Sequence, residues 1–263
     1  MSKNSLNLTK DPISVLFVKI AIPSSVGTVF MTLYNLVDTY FAGKISAEAL
    51  AALAQTFPVY FIIIAIGVGL SIGTTSLIAN ALGEKDQKKG SYYLAQSIGL
   101  SIITSILVSL VGIYFGPSII LLMNDSEVTM KLSMEYLNII FLGSIFILVQ
   151  MTMNSSLSAI GDTKSNRNVL IVSFFLNILL NPLFIFGYGI IPAMGIKGIA
   201  VSTITSQSLG TFYIIYKVYK TEFKEYLYLQ CFKPKFKILL DLLSQGIPAA
   251  LGMMMISVGV FII

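Results

Sequence analysis

Long apolar stretches separated by short polar breaks run through the whole chain. A helix needs about 20 apolar residues to cross a hydrocarbon core about 30 Å thick. Stretches of that length are found at Ile13–Phe41, Phe57–Leu82, Tyr92–Phe115, Leu132–Ala159, Val169–Gly187, Gly195–Tyr216 and Ile238–Ile263. These runs are continuous and do not alternate in the way that the shorter strands of a membrane barrel do. The pattern therefore predicts an all-α polytopic membrane protein with seven spans.

Part of the first predicted span recurs in the seventh. Residues 21–33 read AIPSSVGTVFMTL, and residues 246–258 read GIPAALGMMMISV, so that Ile-Pro, two small residues, an aliphatic residue and Gly recur in register. A repeat of this size is typical of transporters built from two homologous six-helix halves with a site between them. Chance similarity between two apolar helices is the alternative.

The repeat suggests how the chain is organised. We predict a six-helix lobe at 1–220, a cytoplasmic linker at 221–237, and the first helix of a second lobe at 238–263. The linker mixes Lys with aromatic residues, as expected of a segment at the membrane surface. Because the sequence ends at SVGVFII without a polar stop, we expect an incomplete chain, truncated after the start of its second lobe.

Composition supports a membrane protein, and the charges predict its orientation. The sequence is 56% hydrophobic and 11% charged, with a mean hydropathy of +0.86. Of the 17 Lys and Arg residues, only Lys44, Lys131 and Lys197 lie in the loops of one side. Because positive residues concentrate in cytoplasmic loops, we predict a multi-pass protein of the cytoplasmic (inner) membrane with its N-terminus in the cytoplasm. The net charge of +5 is then a topology signal and predicts no nucleic-acid partner.

Several kinds of chemistry are disfavoured by the sequence. It has no histidine and one cysteine, Cys231, which argues against zinc sites, disulfides and His-based catalysis. No G-x-x-x-x-G-K-[ST] motif is present for ATP. We therefore expect no enzyme activity and no cofactor, and an ion gradient, of H⁺ or Na⁺, as the energy source.

Asp38 is the residue that least fits its surroundings. It lies about 8 Å inside Gly43 along the first predicted helix. An ionised Asp at the centre of a membrane helix costs about 2.5 to 3.5 kcal/mol, so Asp38 is expected to face protein or water. A polar stripe at helical spacing accompanies it: Ser24, Thr28, Met31 and Asn35, with Tyr34 beside them. The alternative is a carboxylate that reaches out to the outer surface.

Other predicted helices carry polar side chains at matching spacing. Amides are costly in lipid and should turn inward, either toward Asp38 or as hydrogen-bonded contacts between helices. The set comprises Gln150 and Asn154 in the fourth helix, Ser173, Asn177 and Asn181 in the fifth, and Thr203 and Gln207 in the sixth. Pro23 and Pro182 should each free a backbone carbonyl and bend their helices.

Two further groups have structural interpretations. Ala65, Gly69 and Gly73 form a small-residue face that allows close packing of helices. Glu48 and Glu135 are expected at the outer interface.

Two long segments resemble a known family. They are LYNLVDTYFAGKISAEALAALAQTFPVYFIIIAIGVGLSIGTTSLIANALGEKD and LSAIGDTKSNRNVLIVSFFLNILLNPLFIFGYGIIPAMGIKGIAVSTITSQ. Both resemble the MATE family, the multidrug and toxic compound extrusion transporters, and the resemblance runs through all seven predicted helices. It is closest to the bacterial and archaeal drug exporters.

The resemblance implies one lobe, with the next helix, of a twelve-helix, two-lobe antiporter. The family's coupling positions fall on Asp38, Tyr34, Asn154, Asn177, Asn181 and Thr203. In the family, an acidic residue precedes the proline of the fifth helix. Here that position is Asn181, so titration in this lobe would rest on Asp38 alone, or the coupling residues would lie in the second lobe. We assign Asn35, Met31, Gln150 and Gln207 to substrate binding.

We therefore expect secondary active multidrug efflux, in which cationic or amphipathic compounds are exchanged for protons or sodium. The expected partners are these small molecules and the lipid bilayer, and the expected state is a monomer. A flippase for lipid-linked precursors is an alternative, although the predicted helices contain few Lys or Arg residues for an anionic cargo. A seven-helix receptor is another, but its N-terminus would normally lie outside, opposite to the orientation that the charges predict.

Overall fold

The structure, a computed structural model, describes residues 12–123 and 126–262. Within those ranges it is helical, and its extended pairing is limited to an isolated bridge between Tyr188 and Ile191. Three residues that enter the predictions lie outside the described residues: Lys3 and Lys10, which belong to the basic residues of the predicted cytoplasmic side, and Ile263, the predicted end of the last helix. The predicted all-helical membrane fold is confirmed.

The helices follow the predicted order. They are α1 (Ile13–Leu16), α2 (Ile22–Ile45), α3 (Ala47–Gly83), α4 (Gln87–Leu121), α5 (Glu127–Ala159), α6 (Lys164–Phe186), α7 (Ile196–Tyr219) and α8 (Phe236–Ile262). Six of the resulting spans are long and apolar enough to cross a membrane, with α1 and α2 counted as one. Helix α7 is of similar length but less apolar, since its inward face carries buried residues such as Ser202, Thr203, Ser206 and Thr211.

Helices α3 to α6 each begin five or more residues earlier than predicted, and α3, α4 and α5 begin at a side-chain cap. The side chain of Ser46 accepts a hydrogen bond from the Ala49 backbone N–H at 3.0 Å at the start of α3. Asp86 and Ser126 cap α4 and α5 in the same way. These first turns are polar because they extend beyond the hydrocarbon core, so hydropathy alone places the start of the helix too late.

The first span is interrupted before Pro23, as predicted. Residues Phe17–Ala21 form a π-helical turn between α1 and α2. Proline has no N–H to continue the α-helical pattern, and the wider turn redistributes the backbone hydrogen bonds around that gap. The irregularity therefore lies near the end of the span that is predicted to be cytoplasmic.

The helices form a bundle whose neighbours determine which faces are buried. Helix α2 packs on α6, α6 on α7, and α7 on α5, while α5 also contacts α3 and α4. One apolar core, around Ile63, Leu137 and Ile199, lies toward the Ile45 end of α2. A second, around Leu94 and Ile214, lies toward the basic ends of the helices. Helices α2, α6 and α7 also bury small and polar residues, among them Gly27, Asn177 and Thr203.

The small-residue face of α3 receives α8. A Cβ atom added to Gly69 would lie 2.6 Å from the carbonyl oxygen of Gly246, and one added to Gly73 would lie 2.5 Å from that of Leu242. These are backbone contacts, which only glycine permits. The predicted packing role of Gly69 and Gly73 agrees with this arrangement, in which the backbones of α3 and α8 touch.

The segment between α7 and α8 is held on α4 by a buried amide. It contains two short 3-10 turns, Glu222–Tyr226 and Leu229–Phe232. The Gln96 side chain donates to the carbonyls of Cys231 and Lys233, at 2.5 and 2.8 Å, and accepts from the N–H of Lys235 at 2.8 Å. This one side chain satisfies three backbone groups and anchors the segment against the bundle.

Candidate functional site

Asp38 lies in the interior of the bundle and accepts hydrogen bonds from two other helices. Its side chain is 6% exposed. The Nδ2 groups of Asn177 and Asn181 each donate to Oδ1 at 2.8 Å, and the Thr203 hydroxyl donates to Oδ2 at 3.3 Å. The carboxylate therefore faces protein, and the alternative of a side chain reaching the outer surface does not hold.

Local sequence spacing creates this arrangement. Asn177 and Asn181 are one helical turn apart on the buried face of α6, and the Asn181 Nδ2 also donates to Asn177 Oδ1 at 3.1 Å. Gly27 allows α2 to approach α6, because a Cβ there would lie 3.0 Å from the Leu170 side chain. Because the two helices approach closely, the amides of α6 can reach the carboxylate of α2.

The electrostatics of Asp38 are unusual because its partners are neutral. Among the described residues, the ion pairs are Lys89 with Glu84 and Lys197 with Glu135, and neither involves Asp38. Amide and hydroxyl donors stabilise a buried carboxylate only partly, and a buried charge without a counter-charge is costly. This site therefore favours a state in which Asp38 binds a proton or a cation.

Two buried oxygens beside Asp38 have unused capacity. Over the described ranges, the Asn181 Oδ1 and the Tyr34 hydroxyl make no hydrogen bond, although both are inaccessible. Amide, hydroxyl and carboxylate oxygens are suitable ligands for hard cations. With the Asp38 carboxylate, they form a set of oxygens that could hold a cation, or accept the proton of a neutral Asp38.

A cavity of about 490 Å³ opens next to this cluster, between α2 and α3. Its lining includes Asp38, Tyr34, Asn35 and Thr203, with Tyr60, Phe57 and Tyr136 from α3 and α5. Among the described residues that line the cavity, Asp38 is the one with a charged side chain. Four aromatic rings also line the cavity. Such a wall suits a cation with an apolar body, since aromatic faces attract positive charge.

Sequence reasoning missed the aromatic part of this wall. Tyr60 and Tyr136 were not among the predicted site residues, yet both line the cavity with Asp38. Both lie within the first turn or so of a predicted span, near the interface where Tyr is usual, so the sequence offered no distinct signal for them. The chain has 13 tyrosines, and the depth of each one in the membrane depends on where its helix starts. The sequence alone therefore does not show which tyrosines lie at the level of Asp38.

The predicted polar stripe of α2 is not the face that α2 buries. The buried residues are Pro23, Gly27, Tyr34, Asp38 and Ala42. The members Ser24, Thr28, Met31 and Asn35 of the predicted stripe are exposed. Ser24 and Thr28 hydroxyls donate to the backbone carbonyls four residues earlier, which satisfies them locally. Packing on α6 selects the face with Gly27, so Asp38 is buried while the neighbouring polar residues are not.

The polar residues of α5 lie elsewhere. Gln150 accepts a hydrogen bond from the Thr211 hydroxyl at 3.4 Å and is about 14 Å from the Ala159 end of α5. Within the described chain, neither Gln150 nor Asn154 is hydrogen-bonded to Asp38, and the Asn154 Oδ1 is buried without a partner. Because α5 runs antiparallel to α6, both residues lie nearer the basic ends of the helices.

The remaining predicted residues lie outside the Asp38 cluster. Gln207 is half-buried on α7, and its backbone carbonyl accepts the Thr211 hydroxyl at 2.8 Å. Met31 is 44% exposed and is not part of the described cavity lining. Glu135 pairs with Lys197 at 3.5 Å at partly exposed positions, in agreement with its predicted interfacial place. Of the ten predicted site residues, the structure thus assembles Asp38, Tyr34, Asn35, Asn177, Asn181 and Thr203.

The sequence and the fold are similar to those of known transporters. The sequence matches the MatE family over residues 23–183, which is more than half of the chain. It is 28% identical over 204 residues to a protein named FAD transporter from Shewanella oneidensis, covering 78% of this chain and 45% of that one. It is 26% identical over 243 residues to the multidrug export protein MepA of Staphylococcus aureus, covering 92% and 53%.

A solved structure also matches this chain over about half of its own length. A MOP superfamily transporter from Pyrococcus furiosus superimposes with a TM-score of 0.85 at 27% sequence identity, covering 96% of this chain and 55% of that one. The chain thus spans about half the length of the relatives that it matches. It belongs to the MatE family, whose members are membrane transporters rather than enzymes.

Proposed function

We propose that this chain supplies one lobe of a secondary active efflux transporter, in which cationic or amphipathic compounds are exchanged for protons or sodium across the cytoplasmic membrane. The observation that carries the proposal is the buried Asp38 carboxylate, held by Asn177, Asn181 and Thr203 without a positive partner among the described residues. The predicted orientation, with a cytoplasmic N-terminus, is part of the proposal.

Competition at Asp38 provides the coupling. A proton and a cation cannot both neutralise one carboxylate, so binding of either weakens binding of the other by the same factor. In this proposal, protonation from outside releases the bound cation, and loss of the proton to the cytoplasm restores the binding state. No ATP is needed, because the ion gradient drives the cycle.

Asn181 adapts the site to both states. Its Nδ2 donates to the carboxylate at 2.8 Å, while its Oδ1 is buried and unused. When the Asp38 carboxylate binds a cation or carries a proton, a rotated Asn181 amide presents its oxygen instead of its N–H. The same side chain therefore supports a charged and a neutral Asp38 without titrating itself.

The proposed cargo follows from the cavity beside Asp38. Its aromatic wall and its acidic charge favour a cation with an apolar body. An anionic cargo, such as the flavin nucleotide in the name of the Shewanella relative, would require positive or hydrogen-donating groups. The described lining contains no Lys or Arg. We therefore place cationic compounds first, with flavin nucleotides and lipid-linked precursors as alternatives.

The test is the export of a fluorescent cation from cells that produce the protein. Asp38→Asn should reduce export to the background of cells without the transporter, because the amide can bind neither a proton nor a cation in the same way. Glu48→Gln, an exposed carboxylate at the start of α3, is the matched control and should retain export. Full export by Asp38→Asn at equal membrane abundance would refute the assignment, and export of flavin nucleotide alone would select the alternative cargo.

A further inference from the structure

A second cavity, of about 330 Å³, lies on the outside of the bundle between α6 and α7. It shares none of its described lining residues with the cavity beside Asp38. Its edges are Val172 on α6 and Leu209 on α7, which are 57% and 49% exposed. Helix α8, the start of the predicted second lobe, packs on α3 and α4, so the face formed by α6 and α7 is turned away from that lobe and open to the hydrocarbon core.

The groove has the length and lining of a site for an acyl chain. Along α6 it extends from Asn168 to Leu176, about 12 Å at the helical rise. Gly210 provides space on α7, since a Cβ there would lie 2.8 Å from the Val169 side chain. Apart from a few polar groups, the lining is aliphatic.

Two cations outside the groove lining lie next to lining residues at one end of the groove. The Arg167 guanidinium donates through Nε and Nη2 to Asn168 Oδ1, at 3.2 and 2.8 Å, which holds it beside the lining residue Asn168. The Lys217 ammonium lies 5.7 Å from the ring centroid of Tyr213, another lining residue. The two helices therefore each place one positive charge at the same end.

These cations have no carboxylate partner in the part of the chain that the structure describes. The neighbouring acid at the start of α6, Asp162, accepts from the backbone N–H and the hydroxyl of Ser165, at 3.0 and 2.6 Å. Two uncompensated cations above an apolar groove complement an anionic headgroup above an acyl chain. The same charges would repel a cationic cargo, so this groove is not a second copy of the Asp38 site.

We propose that the α6–α7 groove binds an anionic phospholipid of the leaflet at the basic ends of the helices, predicted to be cytoplasmic. Arg167 and Lys217 contact the phosphate, and one acyl chain lies along Val172, Leu176 and Leu209. Arg suits phosphate because its planar fork donates two hydrogen bonds at once. The site is independent of the proposed transport activity.

The absence of Trp from the sequence allows a direct test. A single Trp is introduced at Leu209, in the groove, and, as a reference, at Ile103 on α4, which is 47% exposed and outside the groove lining. Each protein is placed in phosphatidylcholine vesicles that contain a minority of lipid with brominated acyl chains. The quenching of Trp fluorescence is compared for brominated phosphatidylglycerol and brominated phosphatidylcholine.

The expected result is a preference for brominated phosphatidylglycerol at Leu209→Trp, about fivefold or more in relative binding, and none at Ile103→Trp. Arg167→Gln with Lys217→Gln should abolish the preference. Lys220→Gln with Lys224→Gln, two lysines that stack on Tyr216 and Tyr219 instead, should retain it. If the Arg167 variant does not fold, Lys217→Gln alone replaces the double variant in the same quenching measurement.

Equal quenching by the two lipids at Leu209→Trp would refute the proposal. A preference for phosphatidylglycerol that persists in the Arg167→Gln, Lys217→Gln variant would also refute the proposal. Such a preference would arise from the charge of the whole surface and not from these two residues. Neither outcome depends on transport, so failure of this site and failure of the efflux proposal are distinguishable.

Discussion

Asp38 is the residue on which the proposed coupling depends, and its neighbours determine how it can work. A single buried carboxylate with three neutral donors can exchange one charge. A second carboxylate within hydrogen-bonding distance would change this, because two like charges that close cannot both ionise without a cation between them. The resemblance to the family implies an acidic residue at the position of Asn181, and the effect of this difference is open to experiment.

We predict that Asn181→Asp changes the pH dependence of export. Its carboxylate would lie next to Asp38, where the amide nitrogen is now 2.8 Å away. The pair would share a proton, and the pH midpoint of export should move upward by about one unit or more. The measurement is the initial rate of export over a pH series at equal membrane abundance.

Asn154→Asp is the matched control for this prediction. Asn154 lies on α5 toward the basic ends of the helices and is not hydrogen-bonded to Asp38 in the described chain. Its replacement should therefore leave the pH midpoint where it is in the unmodified protein. An equal shift for both variants, or no shift for Asn181→Asp, would contradict the coupling site as drawn.

At the scale of helices, the contact between α3 and α8 depends on glycine. Gly69 and Gly246 bring the two backbones into contact, so that any side chain at Gly69 collides with a carbonyl oxygen. Backbone atoms cannot move aside as the end of a long side chain can. The two helices must therefore separate if a larger residue is introduced.

We predict that Gly69→Leu destabilises the protein by about 1 to 3 kcal/mol or more, because overpacking forces backbone shifts. The control is Gly99→Leu on α4, where an added Cβ meets nothing within 4 Å among the described atoms. The measurement is the temperature at which the detergent-solubilised protein loses its monodisperse elution. A Gly69→Leu protein as stable as the Gly99→Leu protein would show that α8 does not pack on α3 in this way.

For the whole molecule, the orientation in the membrane is the prediction with the widest consequences. The uneven loop charges predict that the segment between α7 and α8 is cytoplasmic and that the loop between α6 and α7 is outside. Tyr228 and Ile190 are suitable probes in these two places, being 60% and 100% exposed. Both can be replaced by Cys after the native Cys231 has been changed to Ser.

The expected result is that a membrane-impermeant maleimide labels Ile190→Cys on intact cells and Tyr228→Cys only after the membrane is opened. The reverse labelling pattern would show that the predicted orientation is wrong. The proposed lipid groove would then lie in the other leaflet, and Asp38 would be protonated from the other side. Labelling in a denaturing detergent serves as the control, because both cysteines should then react equally.

The sequence alone was enough to predict the class of protein and the order of its helices, since continuous apolar runs of membrane length admit few other structures. It also identified Asp38, Asn177, Asn181 and Thr203, because polar groups in such runs are costly and therefore conspicuous. Helix starts were less predictable, since polar turns such as those at Ser46 and Asp86 lie beyond the hydrocarbon core.

Which of these groups meet depends on how the helices pack against one another. Helical spacing placed Asn35 with Asp38 on one face, but packing on α6 buried Asp38 and left Asn35 exposed at the edge of the cavity. It also separated Asn154 from Asp38 and brought in Tyr60 and Tyr136. Contact between helices depends on their depth, rotation and close approach, and these follow from packing along whole helices rather than from local spacing.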